Sequence, residues 1–279
     1  MAALQRTRRR APAGQCLTVP GGALRLGVRW AGPALDLELV SAGKVLCAGE
    51  WLGAVHRNGE PSPATSAWQE TCRVSDADVD YLELHIALAG GLRIERHLVL
   101  ARKDRFLLLA DALLGNRVGN LEYCGVLPLG PAVRFRPARQ GCEGRLVDRA
   151  AYARVLPLAL PEWRSAAAAG QLAAGGRGVQ LRQAARGRRL LAPLFVDLDR
   201  RRLGRRLTWR QLTVAQALAV QPADVAVGYR VAIGSQQWLI YRSLAAKANR
   251  TLLGHNLATE TLVARVDRKG TVTSIIEIE

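Results

Sequence analysis

YLELHIALAGGLRIERHLVLARKDRFLLLAD, residues Tyr81–Asp111, contains three β-strands and the two turns that join them. Leu82, Leu84, Ile86 and Leu88 alternate with Tyr81, Glu83, His85 and Ala87, the period of two that lets a strand bury one face. Gly90-Gly91 and Lys103-Asp104 punctuate the run. Phe106-Leu107-Leu108-Leu109-Ala110 is apolar on both faces, as a central strand is.

A three-residue loop, Ala89-Gly90-Gly91, with Gly91 left-handed, sets the register of the first hairpin. Leu88 then opposes Leu92, Ile86 opposes Ile94, and Leu82 opposes Leu98. His85 and Glu95 pair on the other face, as do Glu83 and His97, with Arg93 beside them. A two-residue loop would oppose Leu84 with His97, and burial of one face rejects that register. The polar face is expected to be solvated and to carry cross-strand ion pairs. Arg96 falls on the apolar side opposite Leu84, and Asp111 on the third strand is the candidate partner.

Outward from this meander, strand-like runs recur from residue 17 to the end, on the order of fourteen of them. Val225–Ile233 and Gln236–Leu244 flank Gly234-Ser235, a hairpin signal. Thr261–Val266 and Thr271–Ile278 flank a second turn. Residues 128–175 are less regular, and Ser165–Ala174 is Ala-rich enough for one short helix despite Gly170. The pattern predicts an all-β fold, a large antiparallel two-sheet sandwich (supersandwich-like) with at most one or two short helices. Residues 1–15 read as a basic flexible arm and residues 16–279 as a single β-sandwich domain.

The net charge of +17 comes from 40 basic residues, only four of them Lys. Such an excess suits a polyanion partner, but the arginines are spread along the chain, which favours genome composition as their cause. Two clusters stand out: Arg6, Arg8, Arg9 and Arg10 in the arm, and Arg200, Arg201, Arg202, Arg205 and Arg206 in a loop. The five cysteines contain no CxxC pair and sit in strand-like surroundings, so buried reduced thiols are expected and no metal site. No apolar segment follows the basic N-terminus and no window is long enough to cross a membrane. A cytoplasmic protein without membrane contact is the expectation.

Glycine-rich nucleotide loops, HExxH and GxSxG are absent, so nucleotide binding, zincin and α/β-hydrolase chemistry lack support, and no cofactor is expected. The acidic run Asp76-Ala77-Asp78-Val79-Asp80 begins like a calcium loop but has Tyr81 and Ala87 where that loop needs Gly and Glu, and reads as a turn. Asp197 and Asp199 are followed by five arginines and read as ion-paired. Glu83, His85, Glu95 and His97 are the candidate acid–base residues, because imidazoles beside carboxylates can move protons on a sugar. In the C-terminal block WLIYRSLAAKANRTLLGHNLATE (238–260), Arg242, Asn249, Arg250, His255 and Asn256 are candidate ligand-binding groups near Trp238 and Tyr241.

The run GLRIERHLVLARKDRFLLLADALLGN (91–116) resembles the β-sandwich domain of heparinase II/III-type polysaccharide lyases, in which an Arg-bearing strand precedes a strand ending in Asp and a Gly-containing turn. Arg96, Asp111 and Gly115 are the matching positions. Tyr241–Leu257 is also similar to a "YRSL…NRT.LG.NL" block in uncharacterised bacterial proteins. The resemblance implies a supersandwich-like fold and a carbohydrate connection. It does not carry over lyase activity, because those enzymes place most catalytic residues on an α/α toroid, and this chain has no region helical enough to form one. The leading expectation is a non-catalytic sandwich that binds acidic carbohydrate or another polyanion, or acts as an interaction module. A mutarotase- or epimerase-like enzyme using His85 or His97 is the first alternative, and nonspecific nucleic-acid binding the second.

Overall fold

In a computed structural model, the described residues are 16–18, 24–164, 169–176 and 178–279. The expected arm lies outside them. Strands β1 (Cys16–Thr18), β2 (Leu24–Ala31), β3 (Ala34–Ser41) and β4 (Lys44–Glu50) form an antiparallel four-stranded sheet. An eleven-stranded sheet follows, made of β5 (Leu52–Arg57), β6 (Glu60–Pro61), β7 (Gln69–Ser75), β8 (Val79–Leu88), β9 (Leu92–Ala101), β10 (Phe106–Pro128), β11 (Arg134–Pro137), β12 (Gly144–Val147), β13 (Ala151–Pro157), β14 (Gly170–Gly175) and β15 (Gly178–Asp197). Its main path runs β11-β12-β13-β15-β10-β9-β8-β7. The remaining strands are β16 (Leu207–Leu212), β17 (Val214–Gln216), β18 (Ala219–Val220), β19 (Ala226–Ile233), β20 (Gln236–Ser243), β21 (Arg250–Leu252), β22 (His255–Leu257), β23 (Thr261–Val266) and β24 (Val272–Ile278). They form a five-stranded sheet, β16-β19-β20-β23-β24, and a small one, β18-β17-β21-β22.

The fold is an all-β antiparallel sandwich. The eleven- and five-stranded sheets face each other, and the two smaller sheets cover their outer sides. Trp238 of β20 meets Phe106 of β10 and Phe195 of β15 between the two large sheets, with ring centroids 5.7 and 5.6 Å away. Strand β20 is buried on both faces: Trp238 and Ile240 enter the main core, while Leu239 and Tyr241 join a second cluster with Val214, Leu252 and Leu257. On the far side of the large sheet, Trp51 after β4 stacks on Arg96 and Trp30 of β2 on Arg73. The first half of β10 and the middle of β20 are thus largely apolar toward both neighbours, which is why they read as near-continuous hydrophobic runs.

The meander has the register that its sequence predicts. Leu88 opposes Leu92, Ile86 opposes Ile94, Leu84 opposes Arg96, and Glu83 opposes His97. Gly91 is left-handed (φ 72°) and so is Gly90 (φ 73°), so the turn uses the freedom of both glycines and not of one. Strand β10 is central, paired with β9 on one side and β15 on the other. Both C-terminal hairpins form, with Ile233 opposite Gln236 and Val266 opposite Val272.

Two expectations are corrected. The helix expected over Ser165–Ala174 is a strand from Gly170, where β14 pairs with β15; residues 165–168 lie outside the described set. Pairing to a long neighbour overrides the alanine propensity. The described residues contain twenty-four strands, more than the number read from periodicity, because short strands such as β17 and β18 carry too few residues to show a period.

Candidate functional site

The four polar residues of the meander share one face, as the register requires, but that face is not solvated. Glu83, Glu95 and His97 are buried and His85 is half-buried, because the five-stranded sheet lies over them. The Tyr81 hydroxyl donates to Glu83 Oε2 at 2.7 Å and lies 3.0 Å from His97 Nδ1. Burial, then the charge of Glu83, pushes the Tyr81 phenol well above its ordinary range. His85 Nδ1 lies 3.0 Å from the Thr71 hydroxyl. Arg242 of β20 reaches across and donates to Glu95 at 2.5 Å and to Thr261 at 2.8 Å, with Glu260 at 3.7 Å. Burial opposes the charge of Arg242, but Glu95 and then Glu83 more than offset it, so its pKa is raised. The set is an ion-paired seam between two sheets.

On the opposite face Arg96 finds its partner in Asp111. Its Nε and a terminal nitrogen donate to the two carboxylate oxygens, each at 2.7 Å. Tyr123 donates to Asp111 at 2.6 Å, and Arg96 also donates to the carbonyl of Trp51 at 3.1 Å. Trp51 and Trp68 sandwich the guanidinium, with centroids 3.8 and 4.7 Å from it. Gly53 passes directly alongside, where a Cβ would stand 3.4 Å from Arg96.

The C-terminal block comprises the end of β20 and the β21–β22 hairpin. Arg250 is buried and donates to Ser243 (2.7 Å), Tyr241 (3.3 Å) and the carbonyl of Ala246 (3.0 Å). Arg242 and Arg250 therefore hold the chain around residues 241–246. Asn249 and Asn256 are exposed and His255 is half-buried; Asn256 accepts from Thr251 at 3.2 Å. Of the residues singled out in the sequence, the fold brings Glu95 and Arg242 into direct contact. Asp197 and Asp199 pair with Arg202 and Arg201. Asp76 caps its turn through the N–H groups of Asp78 and Val79, and Asp80 is buried against Ser75 and Arg102.

A further charged site lies elsewhere, at residues outside the candidates named above. Arg136 opposes Arg145, Arg145 opposes Arg154, and Arg154 opposes Asp197 across β11, β12, β13 and β15. Directly opposed residues point to the same side, so three guanidinium side chains stand in a row with bases about 4.8 Å apart. Arg136 and Arg145 are exposed, and Arg154 is buried. Arg145 and Arg154 donate to the carbonyl of Leu203. Burial and then the neighbouring Arg145 lower the pKa of Arg154.

This ladder forms one wall of a cleft of about 620 Å³ that also contains Arg139, Arg205 and Trp163. Among the described residues that line it, Glu143 and Glu162 are the carboxylates. Trp163 is 66% exposed although its backbone is fixed: it bridges to Gly141, while Arg164 donates to the carbonyls of Gln140 and Gly141. Trp209 ties the same segment down, donating from its indole to the carbonyl of Leu160 and from its backbone N–H to the Glu162 carboxylate. The signals in the sequence were RFRPARQGCEGR (134–145), whose Pro and Gly hide the strand period, and Arg205 of the arginine cluster that follows Asp199.

No protein-family model matches the sequence, and no curated protein does. Solved structures do match. Heparan sulfate lyase HepC from Pedobacter heparinus is similar over 88% of this chain, with a TM-score of 0.54 and 10% identity. A heparinase III structure is similar over 87% of it, with a TM-score of 0.55 and 8% identity. The chain spans only 43% of the length of either protein. No helix among the described residues is long and apolar enough to cross a membrane. In fold, the chain resembles the β-sandwich part of heparinase III-type polysaccharide lyases and corresponds to less than half of such a protein.

Proposed function

We propose that this protein is a β-sandwich binding module for an acidic glycan, which it holds in the cleft between the arginine ladder and Trp163, with no catalytic step of its own. The observation that carries this reading is the ladder. Like charges directly opposed on neighbouring strands cost stability, and the fold places three arginines so. A repeating anion laid across the strands removes that cost. Its carboxylates or sulfates meet guanidiniums that favour bidentate pairing, while an exposed indole offers an apolar platform to a sugar's C–H face.

The names of the similar lyases supply a carbohydrate connection by analogy of fold alone. The acid–base alternative is weaker, because Glu83 and His97 lie between two sheets behind Tyr81, away from any bulky substrate.

Titration of the protein with a heparin-derived hexasaccharide, maltohexaose and oligo-dT tests the reading. The acidic hexasaccharide is expected to bind and to remain bound at about 0.5 M NaCl, where exposed ion pairing is largely screened. Maltohexaose should not compete, and Trp163→Ala should weaken binding. If the hexasaccharide and the DNA lose affinity together with salt, charge alone is at work and the proposal fails.

A further inference from the structure

A second recess, of about 630 Å³, opens where the end of β20 crosses β9 and the middle of β10. Its charge balance differs from that of the cleft. Arg93, Glu95, Arg242 and Glu260 form one chain of ion pairs, with separations of 2.9, 2.5 and 3.7 Å. Arg189 lines the recess as well and donates to the carbonyl of Asp224 at 3.2 Å. Where the cleft sets five guanidiniums against two carboxylates, the recess is close to balanced.

The backbone is shaped to make this space. The pairing of β10 with β15 is interrupted between Leu114 and Gly119, a bulge of the kind that accompanies sites. Gly115 sits in that bulge and lines the recess; a Cβ there would stand 2.7 Å from Leu92 and 3.1 Å from the carbonyl of Arg188. The opposite wall, Ser243–Ala246, is held from behind by Arg250.

We propose that this recess binds a neutral polyhydroxylated ring, a pyranose-sized polyol. A guanidinium has five N–H donors in a fixed fork and a carboxylate about four lone-pair sites, so groups already paired keep directional capacity. Donors and acceptors alternating on one rigid frame match hydroxyl groups, which both donate and accept. Here Arg93 and Arg189 supply donors and the partly exposed Glu260 supplies acceptors. Leu88, Leu92 and Leu114, otherwise buried in the core, line the recess and present their exposed edges to the C–H face of the ring. At Arg93 and Arg242 an anion would have to compete with Glu95 and Glu260, which already engage them. The site is independent of the arginine cleft and of the reading built on it.

The test is saturation-transfer NMR on the full chain with D-glucose, D-galactose, D-mannose and D-glucuronate. At least one neutral sugar should receive saturation on its ring protons, with no loss on adding about 0.5 M NaCl. Glu260→Gln, which keeps the shape of the side chain, and Arg189→Ala should each weaken that signal by about tenfold while thermal unfolding stays unchanged. Arg136→Ala, in the cleft, should leave it intact. The proposal is overturned if no neutral sugar receives saturation, if neither recess variant alters the signal, or if D-glucuronate binds best and is released by salt.

Discussion

Glu95 and Arg242 stand 147 residues apart in the chain and meet at 2.5 Å between the two largest sheets. Each comes from a segment that looked surface-bound: one from the polar face of a hairpin, the other from a polar block near the C-terminus. Their contact closes the seam between the sheets and forms the floor of the polyol recess. Removing one member of a buried pair strands the other. Arg242→Met is therefore expected to lower the unfolding free energy by roughly 3 kcal/mol, read by urea denaturation. Replacing both partners with apolar residues should recover much of that loss, since the two desolvation penalties disappear together.

Tyr81 shows how the covered face is satisfied. Its hydroxyl joins Glu83 and His97, so Tyr81→Phe keeps the ring and deletes only the link. The loss should be about 1–3 kcal/mol, the cost of an unmet buried polar group. His97→Ala should cost more than about 1 kcal/mol, and His85→Ala, half-buried beside Thr71, less. A solvated face would tolerate all three changes.

Alkaline pH should destabilise the protein in a defined window. Burial pushes the Cys47 thiol up from 9.0 to about 12, and burial likewise raises Tyr81, Tyr123 and Tyr229. Because the folded values lie above the unfolded ones, stability is full below about pH 9 and falls as pH rises toward the folded values. Each group adds a slope of about 1.4 kcal/mol per pH unit once its unfolded form ionises. Cys47 acts first, between pH 9 and 10, and Cys47→Ala should flatten that part of the stability profile.

The sequence disclosed the fold further than it disclosed the sites. Period-two alternation around Ala89-Gly90-Gly91 was enough to pair Leu84 with Arg96 and His85 with Glu95, and an arginine on an apolar face called for Asp111. It could not say what covered the other face. A polar stripe reads the same whether water or a second sheet lies over it, and Arg242 gives no local sign that it reaches Glu95. The arginine ladder was hidden for another reason: Arg136, Arg145 and Arg154 become neighbours only through the pairing of three short strands broken by Pro137, Gly141 and Gly144. Such opposed positions have no fixed spacing in the chain.

The central claim is that the ladder is kept for binding and not for stability, and Arg145→Gln separates the two. Unfolding free energy of the free protein and affinity for the heparin-derived hexasaccharide should be measured on the same preparation. Relief of repulsion from Arg136 and Arg154 should leave the variant as stable as the parent or more stable by up to about 1 kcal/mol, while affinity falls by about tenfold, the loss of one charge-assisted contact. A variant that is less stable yet binds the hexasaccharide as tightly as the parent would contradict the account.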